Sequence, residues 1–318
     1  MLIVINGYDS AQREDGINKV MKIWTQWSDL TLPAGMTHLD SDGFVPAASQ
    51  FDAIEFYVPS YMGGLKTIEI IPKMKNLKVV HYNQAGYEDI LPHIPQGVSL
   101  CNGTGIHDVS TSELAIGLAI ACRRGFAEFM DNQKQGIWKR TTKPALADSH
   151  VGIIGYGHIG KRIASLLEMF ETKVTAFTRS GSDGSIKIAE FDQYLPKLDV
   201  IILILPLTPE SKNFMNAERI KKMKDGATLV NVARGAIVDT DALVAELHTG
   251  RITAGLDVTD PEPLPAGHPL WSAPNVIISP HVGGDSGAFQ PRARAMVSQQ
   301  LQLLSENKPL LNQIIAAS

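Results

Sequence analysis

The feature that most constrains this 318-residue chain is the run His150-Val151-Gly152-Ile153-Ile154-Gly155-Tyr156-Gly157-His158-Ile159-Gly160, an apolar, β-branched stretch ending in G-x-G-x-x-G. Glycines at this spacing occur in many turns, so the motif gains its meaning from its surroundings. Ile159, Ile163, Leu166, Leu167 and Phe170 follow at helical spacing, so strand, glycine turn and helix succeed one another. In that order the glycines permit a tight turn and the close approach of a pyrophosphate, whose charge the unpaired N–H groups at the helix start can bind. Gly155, Gly157, His158, Ile159 and Gly160 are therefore expected to cradle a dinucleotide; a purely structural turn is the alternative.

The same strand and helix alternation extends from about residue 98 to about 285. Strands are expected at His150 to Ile154, Lys173 to Thr178, Asp199 to Leu205, Ala227 to Val232, Ile252 to Asp257 and Asn275 to Ser279. The spacing leaves room for one crossover helix per step, which makes a doubly wound parallel sheet of Rossmann type the economical α/β fold. A second, less regular α/β unit precedes it, with strands expected at Leu2 to Ile5, Ala53 to Val58 and Leu77 to His81, and no clear element from Ser28 to Gln50. Between the two, Val109 to Asn132 reads as one long buried helix, with Leu114, Ile116, Leu118, Ala119, Ile120 and Phe126 on its apolar side. A last helix is expected over Ala288 to Leu304. The expected division is a dinucleotide-binding domain at 98–287 and a flavodoxin-like substrate domain built from 1–97 with 288–318.

Composition excludes several classes of protein. A net charge of −4, with no more than two Lys or Arg in a row, provides no electrostatic footprint for nucleic acid. No apolar run reaches the roughly 18 residues of a membrane span, and Leu2 to Ile5 is too short for a signal segment. Cys101 and Cys122, the only cysteines, stand in apolar stretches without metal-ligand spacing and are expected to be buried thiols. These features fit a reduced, cytoplasmic protein.

About 20 residues beyond the glycines, where an NAD site commonly carries Asp or Glu, this chain reads Thr178-Arg179-Ser180. A guanidinium and two hydroxyls suit a 2′-phosphate, and no carboxylate is there to repel one. NADP(H) is the expected cofactor and NAD(H) the second candidate; Arg179 as a solvated loop residue is the alternative.

Three polar residues fall just after later strands, on the sheet edge where such folds bind ligands. Arg234 follows Leu229 to Ala233 and offers a positive group for a substrate carboxylate. Glu262 lies in a loop fixed by Pro261, Pro263 and Pro265, and His281 follows Pro280 at a strand end. Reduction of a ketone needs a hydride donor, a proton donor near neutral pKa and a positive charge on the carbonyl. Taken one at a time, Arg234 could be a surface ion pair and His281 a core histidine. Downstream of a dinucleotide fold, the three together favour hydride transfer to or from a small 2-keto or 2-hydroxy acid.

At these residues the chain resembles the D-isomer-specific 2-hydroxyacid dehydrogenase family. The likeness rests on Gly155 to Gly160, Pro206-Leu207-Thr208 with Pro209-Glu210, Asn231 to Gly235 with Val238-Asp239, Asp257 to Pro263, and Pro280-His281 with Gly283-Gly284. The resemblance implies His281 as general acid/base, Glu262 as its orienting partner, and Arg234 as the group that binds the carboxylate and polarises the ketone. It implies too that Asp257 holds the nicotinamide carboxamide, and that the cofactor runs along Pro206, Val232 and Ala233, with Gly283 beside it. In the first domain it rests on Gln84-Ala85-Gly86-Tyr87 and on Asn102 with Glu113, and implies that backbone N–H groups at Ala85 and Gly86 hold the substrate carboxylate.

Two departures bear on the substrate pocket: Ser112 stands where the family usually has Ala, and His107 where a small polar residue is frequent. Tyr57, Tyr82, Asn83, Gln84 and His107 are expected near the pocket. The resemblance further implies a homodimer, with Gly136-Ile137-Trp138 in or near the contact. Within this reading the chain is a glyoxylate- or hydroxypyruvate-type reductase; a cofactor-sensing, corepressor-like regulator on the same fold is the alternative.

Overall fold

The computed structural model describes residues 20–40 and 43–317, so the strand expected at Leu2 to Ile5 lies outside it. Two compact units emerge. Of the described residues, the first comprises those from 20 to 83, 87–102 and 294–317, and the second 84–86 with 103–293.

In the first unit, β1 (Met21–Trp24), β2 (Met36–His38), β3 (Phe56–Tyr57), β4 (Val79–Tyr82) and β5 (Ser99–Asn102) pair in parallel in the order β5-β4-β3-β1-β2, the flavodoxin-like arrangement. The short helix α1 (Leu65–Ile68) follows β3. Trp24, Tyr57, Ile68, Val80, Tyr82 and Leu100 close its core. The Tyr57 hydroxyl donates to the Thr67 carbonyl at 2.9 Å and that of Tyr82 to Asp89 at 2.7 Å. Both tyrosines pack in the core of this unit. β2 lies inside the stretch whose sequence suggests no element. The boundary falls after residue 102 rather than 97 because Ser99–Asn102 pairs with β4 and belongs to the first sheet.

The second unit opens with α2 (Asp108–Arg123) and α3 (Phe126–Lys134), where one helix is expected from the sequence. Gly125 separates them at φ 69°, and a Cβ there would lie 2.7 Å from the Lys143 side chain, so the backbone turns out of the helix where only glycine fits. α2 is buried through Ala115, Ile116, Leu118, Ala119 and Cys122, whereas Phe126 at the start of α3 is exposed. Then follow β6 (His150–Ile154), α4 (His158–Glu168), β7 (Lys173–Thr178), β8 (Ile186–Lys187), α5 (Phe191–Tyr194), β9 (Val200–Leu203), α6 (Ala217–Lys222), β10 (Thr228–Asn231), α7 (Thr240–His248), β11 (Thr253–Leu256) and β12 (Val276–Ile278).

All seven strands of this sheet pair in parallel, in the order β12-β11-β10-β9-β6-β7-β8. The order reverses between β6 and β9, the switch point at which a doubly wound sheet opens a crevice. Alternate residues of β9 serve opposite faces: Val200 and Ile202 pack with Ala115, Ile163 and Leu167, and Ile201 and Leu203 with Phe191, Leu243 and Leu247. Burial on both faces explains why these strands read as unbroken apolar runs. Gly255 of β11 lets α2 approach closely, since a Cβ there would meet that of Leu118 at 2.9 Å.

Helix α8 (Phe289–Ser305) ends in the first unit, where β13 (Gln313–Ile315) adds antiparallel to β5. Both cysteines are buried, and burial pushes their thiols up, to about 11 for Cys101 and about 12 for Cys122. Among the described residues no helix is long and apolar enough to cross a membrane, and no cluster of side chains could hold a metal ion.

Candidate active site

The three glycines of the β6–α4 turn have three different physical reasons. A Cβ on Gly155, at φ 102°, would lie 2.5 Å from the Ile204 carbonyl oxygen, and one on Gly160 would lie 2.3 Å from that of Gly155. Those two are demanded by the protein itself. At Gly157 an added Cβ meets nothing within 4 Å. Its lack of a side chain leaves open space in front of the first N–H groups of α4, the cradle a pyrophosphate would fill. His158 and Ile159 begin that helix, and His158 Nδ1 lies 3.4 Å from Asp108 Oδ2. The turn therefore fits a dinucleotide.

At the end of β7 the two hydroxyls have structural duties. Thr178 Oγ1 accepts from the Gly181 N–H at 2.9 Å and lies 2.7 Å from Ser185 Oγ, while Ser180 Oγ donates to Ser182 Oγ. Arg179 is exposed, and its charge helps to hold the Glu210 carboxyl below its ordinary range, after the larger effect of a hydrogen bond from Thr208. Thr178 and Ser180 thus shape the turn, and the exposed Arg179 supplies its positive charge.

The remaining expected residues gather at the C-terminal ends of β9 to β12. Pro206 follows β9, and Val232 and Ala233, both buried, follow β10. Buried Asn231, which the sequence marks with no role of its own, shapes the next turn: its Oδ1 accepts from Ala233 N at 3.1 Å and its Nδ2 donates to the Arg234 carbonyl at 2.9 Å. The Arg234 guanidinium donates to the Ala233 carbonyl at 2.8 Å. Gly235 packs so closely on the next loop that a Cβ would come within 1.9 Å of the Thr259 carbonyl oxygen. That contact ties the loop of Arg234 to the loop of Glu262.

His281 and Glu262 meet directly, with Nδ1 2.5 Å from Oε1. Glu262 raises the pKa of His281 above its ordinary value, first through this hydrogen bond, against the opposing effects of burial and the Arg234 charge. Reciprocally, the bond from His281 holds Glu262 below the usual carboxylate range. With Nδ1 engaged, Nε2 is the ring nitrogen left to exchange a proton with a substrate oxygen.

Asp257 organises the segment that carries this histidine. Its backbone carbonyl accepts from the His281 N–H at 2.7 Å. Its Oδ1 accepts from Ser279 Oγ at 2.6 Å and from Val282 N at 2.9 Å, and its Oδ2 from Gly283 N at 2.8 Å. A carboxylate offers about four acceptor positions, so one remains for an incoming amide. Thr111 Oγ1 donates to the Gly283 carbonyl at 3.1 Å, and His107 stacks on Phe289 with ring centroids 5.6 Å apart. Ala85 and Gly86 belong to this unit, tied to it by the Gly103 N–H donating to the Gln84 carbonyl at 2.8 Å. Ser279 and Thr111 have no sequence signal beyond being hydroxyl residues near the right loops.

Comparison with known proteins agrees with this geometry. Residues 116–283 match the family described as D-isomer specific 2-hydroxyacid dehydrogenase, NAD binding domain. The chain is 31% identical to a hydroxypyruvate reductase of Thermotoga maritima, over 80% of this chain and 85% of that one. It is 32% identical to a glyoxylate reductase of Thermofilum pendens, over 73% of each. Among solved structures, a D-isomer specific 2-hydroxyacid dehydrogenase family protein from Aeromonas salmonicida superposes with a TM-score of 0.82 at 25% identity, over 93% of this chain and 99% of that one.

Proposed function

This chain belongs to the D-isomer specific 2-hydroxyacid dehydrogenase family, and from that premise we propose that it is an NADPH-preferring reductase of small 2-keto acids of the glyoxylate or hydroxypyruvate type. The observation that carries the reading is the His281–Glu262 pair at 2.5 Å on the same sheet edge as Arg234 and the glycine turn. A bound nicotinamide supplies or accepts the hydride at the substrate's 2-carbon. Gly155, Gly157, His158, Ile159 and Gly160 hold the pyrophosphate, Pro206, Val232, Ala233 and Gly283 flank the cofactor, and Asp257 uses its remaining acceptor position on the carboxamide. Arg234, with the N–H groups of Ala85 and Gly86, binds the substrate carboxylate and draws electron density from the ketone. His281, kept protonated by Glu262, delivers its Nε2 proton to the carbonyl oxygen as the hydride arrives. A regulator that only senses the cofactor has no use for a hydrogen-bonded acid pair, and that weighs against the corepressor-like alternative.

The preference for NADPH rests on Arg179. A charge-assisted bond to a 2′-phosphate is worth about 1.5–3 kcal/mol, or roughly 10- to 150-fold in kcat/KM. A cytoplasmic homodimer completes the reading, supported by exposed Phe126, Met130, Ile137 and Trp138, the last 95% accessible. Following absorbance with NADPH or NADH and a panel of 2-keto acids tests the proposal. Turnover of glyoxylate or hydroxypyruvate is expected, faster with NADPH, and Arg179→Ala should shrink that preference by a similar factor. Absence of turnover with every keto acid would overturn the enzyme reading, and a preference for NADH would overturn only the reading of Arg179.

A further inference from the structure

We infer that Ser279 is a positioning residue for His281, acting through the Asp257 carboxylate to hold the histidine in the backbone conformation that presents it to Glu262. The inference rests on His281 being the acid/base.

His281 has φ 55°, a left-handed conformation that residues other than glycine adopt only when their surroundings impose it. Something must therefore hold the chain there. Asp257 is the agent, since it accepts hydrogen bonds from four groups within the five residues 279–283: Ser279 Oγ and the N–H groups of His281, Val282 and Gly283. Three of the donors are backbone N–H groups, which no substitution at those positions other than proline removes. The fourth is a side-chain hydroxyl. At 2.6 Å it is the shortest of the three bonds to the carboxylate, and it shares Oδ1 with the Val282 N–H. From one side of the histidine, Ser279 thus fixes the oxygen that Val282 holds from the other.

Thr111 adds a second anchor by donating to the Gly283 carbonyl at 3.1 Å. If Ser279 loses its hydroxyl, the carboxylate loses the shortest of its three hydrogen bonds and is held only by the Val282 and Gly283 N–H groups, so His281 can relax from its left-handed geometry and drift from Glu262. The charged groups that bear on His281 are Glu262, Arg234 and Asp257, and loosening the contact to Glu262 lowers its proton affinity.

The test compares Ser279→Ala with the conservative Ser279→Thr in the full-length enzyme, beside His281→Ala. For Ser279→Ala we expect kcat for keto-acid reduction to fall roughly ten- to hundredfold, the scale of a small misplacement of a reacting group. The basic limb of its pH profile should move to lower pH, while KM for the keto acid changes less than about twofold and Kd for NADPH, read by fluorescence titration and touched only through the carboxamide contact of Asp257, weakens by less than kcat falls. Ser279→Thr should restore both kcat and the limb. Should the alanine variant not fold, Ser279→Cys, with a weaker donor in nearly the same volume, carries the same expectations at smaller size. A normal kcat and unmoved limb in the alanine or cysteine variant overturns the inference, as does a weakened NADPH Kd with normal kcat, which would make Ser279 a cofactor residue. If His281→Ala itself keeps full activity, it is the acid/base reading that has failed.

Discussion

Two histidines, one in each unit, show burial and charge pulling in opposite directions. His81 on β4 is wholly enclosed, its polar neighbours are the uncharged Gln300, 3.4 Å away, and Asn83, and burial pushes its pKa down to about 4. His281 is partly open to solvent and pairs with a carboxylate that raises its pKa. The interior of the first unit favours the neutral imidazole. At the edge of the second sheet an imidazole is held ready to carry a proton. The same side chain is driven toward its neutral form in one place and toward its charged form in the other, by full burial in the first and by a neighbouring glutamate in the second.

The sharpest way to break this contrast is to remove the reactive histidine. His281→Ala should lose about 10²–10⁴-fold in kcat, the usual contribution of a positioned acid, with NADPH affinity nearly unchanged in a binding titration. A variant that turns over at the wild-type rate would make the two histidines equivalent.

Next in size is an effect confined to stability. His81 has a folded-state pKa below the 6.5 of a free imidazole, so the unfolded chain takes up the proton first as pH falls. Stability is therefore full above about pH 6.5 and is lost as pH falls toward 4, by about 3 kcal/mol in all. His81→Leu should keep kcat at neutral pH and flatten this acid slope, as read from urea unfolding at several pH values. An unchanged slope would mean that the imidazole is not held neutral.

The smallest expected change sharpens the role of the glutamate. Glu262→Gln keeps a hydrogen-bond acceptor near Nδ1 and removes the charge. Reduction requires the protonated ring, so its rate falls as pH rises through the His281 pKa, and in the variant that fall should begin at lower pH. Oxidation of the hydroxy acid needs the neutral ring and should gain activity at lower pH than in the wild type. Profiles measured in both directions should move together; movement in only one would assign the limb to another group.

Much of the second unit is legible in the sequence, because strands buried on both faces must be apolar at every position. β9, buried at all four positions, falls inside the expected run Asp199 to Leu205 for that reason. β5 carries no such signal, since Ser99-Leu100-Cys101-Asn102 mixes polar and apolar residues and takes its place from pairing with β4. β8, two residues long, offers too little pattern to read. In the site, Arg234, Glu262 and His281 declare themselves by standing just after strands. Asn231, Ser279 and Thr111 do not, because hydroxyl and amide side chains are common in loops and their importance lies in the atoms they face. Thr178 and Ser180 show the converse: residues suited to a phosphate turn out to bond within their own turn, leaving the exposed Arg179 as the remaining candidate.

The edge strand β13 has a consequence for how the chain is made. Gln313 Nε2 donates to the Ser99 hydroxyl across 214 positions of sequence, so the first unit receives this strand only after the second unit has been made. The second unit, except for its three-residue loop at 84–86, is one continuous stretch from 103 to 293 and is complete earlier. On a ribosome, where domains form in the order in which they are finished, the first unit therefore closes after the second. Until residues 313–315 emerge, β5 presents an unpaired edge to its surroundings, so a chain cut before them would carry a complete second sheet beside an adhesive first one.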